Sequence, residues 1–438
     1  MAGAADLPVA NGDFPCIDDT TASRYIKDFS IDIASFGGKE LCDSKSDSKM
    51  LLDAITVIEQ GQFDTSSGTN VFLRGLVGNN GYYNWMKTET RGMRRGNDVP
   101  TATAYNSGGY FTLQDGWVSL ASLGRVGVII HEARHTEGYY HIACDHGPYE
   151  TSSMAGCDTT LQYGGSHAVE MEYYSRVVVQ GKNFHPAYKS MARLMALARA
   201  NFVFNQSPLK VREGLVALDS NTQQPVLVDN GVVSERVTPL FPGARLKRSS
   251  FGATLFSPGT VLSLDLYGSA QKDYAIQDDY SYFKFVNRSD HIIANAADLL
   301  EHDQGTQRFL VALNADKTVM SFIFGDGAWS QTSQPVQNAQ RLVSVAPDGT
   351  DGVFVVAQNG TIYPYDPSSF QLGAPLSISW PDDTVAMARL KGEPMELTKE
   401  GVIYSKQSGG RTPYAPLTGR TFSQMVSVPL YDAYDVTP

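Results

Sequence analysis

The chain has 438 residues, of which 42% are hydrophobic and 18% charged, with 40 Gly and 22 Tyr. That length exceeds one ordinary core, so two or more domains are expected, and the low charge argues against a long coiled coil. A net charge of −11 with no Lys/Arg block argues against a nucleic-acid partner, and the longest apolar runs, such as residues 126–130, fall far short of the ~20 residues that span a bilayer.

Residues 1 to about 30 are polar and contain Pro, Gly and Asp, which predicts an extended lead-in tied down by Cys16. The opening Met-Ala-Gly runs straight into this stretch, as expected once a targeting segment has been removed. The segment "DSKSDSK" (43–49) has carboxylates at spacings that hint at calcium, but it lacks the Gly and terminal Glu of an EF-hand loop and reads as a solvated helix start. Leu51, Leu52, Ile55 and Ile58 then follow helical spacing as far as Gly61. "TATAYNSGGYFTLQDGWVSL" (101–120) has short β-prone runs broken by Gly-Gly and Asp-Gly, a hairpin signature. Over 119–138, Leu120, Leu123, Val126, Ile130 and Ala133 form one helical stripe, weakened by Gly124 and Gly127 and ended by Gly138. Two more helices are predicted over 166–181 and 186–204, the second with Pro at its first position.

Four cysteines fall in two local pairs, Cys16 with Cys42 and Cys144 with Cys157, which reads as two disulfides formed in an oxidising compartment. The alternative is four buried free thiols. Secretion or the periplasm is the expected location.

From about residue 208 the pattern changes to short β-type runs between turns. "GLVALD" at Gly214, "GTVLSLD" at Gly259, "KTVMSFIFG" at Lys317, "GTIYPYD" at Gly360 and "EGVIYSK" at Glu400 echo one another. Their spacing of roughly 40 to 60 residues is close to that of propeller blades, which predicts a five-bladed β-propeller over 208–438; two β-sandwiches are the alternative. The expected fold is therefore an α+β domain over 1–207 followed by an all-β domain.

The chemistry is concentrated in "HEARHTEGYYH" (131–141). His131 and His135 stand one helical turn apart on the same face, so both imidazoles can reach one metal ion. Glu132, beside the first ligand, is placed to act as general base toward a water activated by the metal. Gly138 can turn the chain sharply off the helix and bring His141 back to the ion. Six of the eight histidines lie within 55 residues of one another; His146 and His185 read individually as surface or cap residues. Arg134 points away from the ligands and should pair with an acidic residue. A Cys144–Cys157 disulfide would hold the loop that carries the third ligand.

The full pattern H-E-x-x-H-x-x-G-x-x-H resembles the metzincin clan of zinc metallopeptidases. The resemblance covers about residues 100–160. It implies that His131, His135 and His141 bind Zn2+ and that Glu132 is the general base in hydrolysis of a protein or peptide substrate. Metzincins also place a methionine turn beneath the zinc, for which Met154 in "SSMAG" is the nearest match. An alternative within the zinc reading takes Glu170 or Glu172 as the third ligand, with His167 in support. The expected function is a zinc metallopeptidase whose propeller binds a protein or glycan. The alternatives are an extracellular binding protein with a structural or inactive zinc site, and a zinc hydrolase of cell-wall peptides or esters.

Overall fold

The computed structural model describes residues 6–8, 11–66, 68–78, 81–99, 102–146, 155–236, 243–249, 252–258, 260–268, 296–304, 307–323, 329–331, 335–407 and 410–433. Two compact units divide the chain: residues 1–144 with 154–208, and residues 145–153 with 209–438. No described helix is long and apolar enough to cross a membrane.

The first unit carries all seven described α-helices. In chain order it comprises α1 (Asp19–Asp28), α2 (Asp47–Gln60), α3 (Gly81–Glu89), β1 (Gly92–Arg95), β2 (Ala104–Ser107), β3 (Tyr110–Leu113), α4 (Asp115–Val118), α5 (Ser122–Thr136), β4 (Asp158–Thr160), α6 (Ser166–Gln180), α7 (Pro186–Phe202) and β5 (Phe204–Gln206). The expected extended lead-in is instead partly helical. Asp18 caps α1 by accepting from the Thr21 amide at 2.9 Å, and Tyr25 is fully buried. The expected solvated start of α2 is corrected too, because Lys49 is completely buried and pairs with Asp53 one turn on.

The 101–120 segment does form a hairpin, β2 to β3 through Gly108 and Gly109, but Asp115 and Gly116 open the short α4 rather than a turn. β3 is central in a three-stranded sheet, antiparallel to β2 and parallel to β1. Helix α5 runs unbroken through both of its glycines. At Gly127 the reason is a close approach: a Cβ would stand 1.8 Å from the Tyr174 hydroxyl on α6. Helix propensity lost there allows α6 to pack closely on α5.

The second unit consists of small sheets that are antiparallel throughout. Its strands are β6 (Val211–Asp219), β7 (Pro225–Asp229) and β8 (Val232–Glu235); β9 (Arg245–Ser249), β10 (Gly252–Ser257) and β11 (Thr260–Leu264); β12 (Ala296–Gln304), β13 (Gln307–Asn314), β14 (Val319–Ile323) and β15 (Trp329–Gln331); β16 (Ala339–Val345), β17 (Asp351–Ala357), β18 (Ile362–Asp366) and β19 (Gln371–Leu372); β20 (Thr384–Leu390), β21 (Glu393–Thr398), β22 (Ile403–Gln407) and β23 (Gly410–Pro413); and β24 (Phe422–Tyr431). β24 pairs with β6, so the last strand completes the sheet that opens the unit. The leading strands β24, β9, β12, β16 and β20 touch in that order, and β20 also touches β24.

Four of these five leading strands carry a register shift near their start, at Ala296/Asp298, Ala339/Arg341, Thr384/Ala386 and Phe422/Gln424. A bulge re-aims the next side chain. Asp298 accepts from the Leu342 amide at 2.7 Å and from Lys247 at 2.8 Å; Arg341 donates to the Val385 carbonyl at 2.8 Å; Gln424 accepts from the Leu246 amide at 2.6 Å. Ala386 has no polar side chain to bridge with, and there Ser427 of β24 bonds the Arg389 backbone instead. Of the sequence echoes, the last four fall on third strands of their sheets (β11, β14, β18 and β22), whereas "GLVALD" lies on β6, the second strand of its sheet. The offset arises because that sheet takes its leading strand from the far end of the chain.

Candidate metal centre

Three elements of the first unit bring imidazoles together. α5 supplies His131 and His135, and its terminus redirects the chain: Glu137 ends the helix and Gly138 takes φ +90°, a left-handed turn with open space around it. The backbone then carries His141 back toward α5. Ile142 pairs with Cys157 in an isolated antiparallel bridge, and the Cys144–Cys157 disulfide lies beside it. The other expected disulfide, Cys16–Cys42, is also formed. α6 supplies His167 and Glu170, both buried. Met154 lies outside the described residues.

The ring centroids of His131 and His135 are 4.9 Å apart, those of His131 and His141 4.9 Å, and those of His135 and His141 4.7 Å. What matters chemically is which nitrogen of each ring is already engaged. His135 Nδ1 donates to the Tyr139 carbonyl, with Ser166 Oγ 3.0 Å from the same nitrogen. His141 Nδ1 donates to Asp158 Oδ1 at 3.1 Å. His131 Nδ1 faces Glu170 Oε2 at 3.4 Å. Carbonyls and carboxylates only accept, so Nδ1 of His135 and of His141 carries the proton and Nε2 of these two neutral rings is left with a lone pair. The Nε2 atoms of His131 and His141 lie 3.0 Å apart. The two rings converge there, and imidazole rings oriented by carboxylates or carbonyls are the usual support of a metal ligand.

Burial depresses the affinity of these rings for protons, and neighbouring histidines add to the effect. His131 lies well below the usual histidine range, His135 is lowered despite its bond to Tyr139, and His141 is brought down to about 4. All three are therefore neutral at pH 7, the form that binds a metal. The donor set fits a divalent transition-metal ion.

Glu170 stands behind His131 rather than beside the Nε2 cluster. Its Oε1 accepts from Tyr174 at 2.8 Å and from Arg199 at 3.1 Å. Burial opposes its ionisation, yet Arg199 and the histidines hold its carboxyl well below the usual range. Glu172 is directed elsewhere, accepting from the Arg74 amide at 2.8 Å and from Arg176 at 2.8 Å. Glu132 is 4% exposed, and its Oε2 has no hydrogen-bond partner. Burial first, and the charge of Glu170 second, push its pKa up to about 8. The helix is held there from β2, where Asn106 donates to the Glu132 carbonyl at 2.5 Å and lies 2.8 Å from Thr136 Oγ1.

Arg134 pairs with Glu137 and lies 4.0 Å over the Tyr139 ring. His185 caps α7 by accepting from the Ala187 amide at 3.1 Å.

Two residues were not assigned these places from sequence. Asp158 orients His141 through Oδ1 and accepts from the His167 amide through Oδ2 at 3.1 Å. Its only signal was adjacency to Cys157. His167, expected in support of the site, has a ligand nitrogen that lies with those of His131 and His141 within 4.8 Å of one another, a group that does not include His135.

No protein-family model matches the chain, and no curated protein matches its sequence. Among solved structures, AztD from Citrobacter koseri is similar at 12% identity and TM-score 0.24, over 52% of this chain and 61% of that one, so the chain spans about three fifths of its length. A DUF4784 family protein from Bacteroides caccae is similar at 10% identity and TM-score 0.26, over 52% and 76%. The WD40 β-propeller domain of Doa1 is similar at 11% identity and TM-score 0.23, over 45% and 62%. At TM-scores of this size none of them assigns a fold or a function to the chain.

Proposed function

We propose that the first unit is a zinc-dependent hydrolase of peptide bonds and that His131, His135 and His141 hold the ion through Nε2. The observation that carries this reading is the convergence of the three rings, with Nδ1 of His135 on the Tyr139 carbonyl and Nδ1 of His141 on Asp158, so that Nε2 of both is available to a metal. Zinc, when bound, polarises a carbonyl under attack and acidifies water. Glu132 takes the proton from the attacking water and returns it to the leaving amine. A buried carboxyl with a partnerless oxygen beside the first ligand supports that role, since a purely structural metal needs no base beside its ligands.

β2 supports a peptide substrate. No described strand pairs with its outer side, and Asn106 ties it to the helix that carries Glu132. An unpaired strand edge can take an extended peptide by main-chain hydrogen bonding. Cell-wall peptides or esters share the same ligand chemistry and differ only in fit.

The second unit is read as a five-bladed β-propeller, supported by the order in which its leading strands touch and by the pairing of β24 with β6. It would recruit a protein or glycan. The two disulfides favour a secreted or periplasmic setting. In the alternative reading this unit carries the function and the metal is structural; the His167 nitrogen in the cluster favours it. The test is cleavage of an unfolded protein by zinc-loaded wild type and by Glu132→Gln. Hydrolysis by wild type alone supports the first reading. Zinc retention without hydrolysis by either moves the function to the second unit.

A further inference from the structure

His167 carries a buried lone pair that nothing in the site yet uses. The residue is 5% exposed, and its ring centroid lies 4.5 Å from those of His131 and His141. Its Nε2 donates to the Gly156 carbonyl at 2.9 Å, which fixes the proton there and leaves Nδ1 as an acceptor. That Nδ1 is buried without a hydrogen-bond partner, and it faces another acceptor, Glu170 Oε2, at 3.7 Å. Buried acceptors are almost always satisfied, and one that faces a carboxylate is stabilised by a cation.

We infer that His167 supplies a fourth nitrogen to the ion held by His131, His135 and His141, which rests on the metal reading above. Ligand nitrogens of His131, His141 and His167 already lie within 4.8 Å of one another, a span that one ion can bridge once the His167 ring has turned. The His167 backbone is anchored by its amide bond to Asp158, the carboxylate that also orients His141. The His141 and His167 rings are inclined by only 21°, so the ring must turn for Nδ1 to reach the ion. The two ring positions define two states. Turned toward the ion, His167 completes a four-imidazole shell with no place for water or substrate. Turned onto Gly156, it leaves one coordination position open. Substrate would therefore compete with His167 for that position. Closed four-ligand shells are typical of structural zinc, and a displaceable fourth ligand reconciles such a shell with the adjacent base.

The experiment is zinc-edge X-ray absorption on zinc-loaded full-length wild type and His167→Gln, with azide titrated into the cobalt-substituted forms. Four imidazoles in wild type and three with an oxygen in the variant are expected. The variant should bind zinc roughly tenfold more weakly and take up azide that wild type excludes. Three imidazoles and an oxygen in wild type, or no loss of an imidazole on substitution, overturns the inference and leaves the three-histidine site intact. Wild type that takes up no zinc overturns the metal reading itself. If His167→Gln fails to fold, the wild-type imidazole count decides alone.

Discussion

The chain buries polar groups in two regions and partners them differently. Along the leading strands of the second unit, Asp298 is fully buried but meets the Leu342 amide, Lys247 and Arg245, and each neighbouring pair of strands is bridged by a side chain. In the first unit, the Nε2 atoms of His131 and His141 face each other at 3.0 Å, and Glu132 Oε2 has no partner. Ion pairs between neighbouring strands fix a structure, whereas imidazoles that converge beside a buried, unpartnered carboxyl mark a site. The difference separates scaffold from chemistry without reference to any related protein.

Substitutions should break this contrast in a definite order. Glu132→Gln should retain zinc and lower hydrolysis by roughly 10² to 10⁴, measured as kcat/KM on an unfolded protein substrate. The same variant has a stability signature in the metal-free protein. The raised pKa of Glu132 stabilises the fold below the ordinary carboxylate range, and that contribution is lost as pH rises toward about 8. Metal-free wild type should therefore lose stability between about pH 4.5 and 8 relative to Glu132→Gln, by at most ~4 kcal/mol, as followed by urea unfolding.

Asp298→Ala should leave Lys247 buried without its carboxylate and destabilise the second unit by ~3 to 5 kcal/mol, with zinc binding unchanged. Asp158→Asn should weaken zinc binding by roughly 10 to 100-fold, since His141 loses the carboxylate that orients it; chelator competition measures this. Gly138→Ala should cost only ~1 to 2 kcal/mol through left-handed strain, with a small loss of affinity.

The sequence made much of the first region legible because its rules are local. Helical spacing paired His131 with His135, Gly138 marked the turn to His141, and nearby cysteines marked the disulfide. What remained hidden depended on packing. Gly127 looks like a weak point in a helix, yet its missing Cβ lets α6 approach and sets Glu170 behind His131. Asp158 belongs to no spacing rule, because its two partners come from different segments. In the second region the echoes were visible, but their placement on strands was not fixed by them. β6 shares its pattern with third strands, and only long-range pairing with β24 shows its position. The repeated bulges leave no residue-type signature at all, falling before Asp, Arg, Ala and Gln.

The most direct test of the metal centre is zinc stoichiometry on purified wild type, His141→Ala and Glu170→Ala after reconstitution. About one zinc per chain is expected in wild type, loss in His141→Ala, and weakened but measurable binding in Glu170→Ala, whose carboxylate only supports His131. No zinc in wild type, or loss in Glu170→Ala with full retention in His141→Ala, would contradict it.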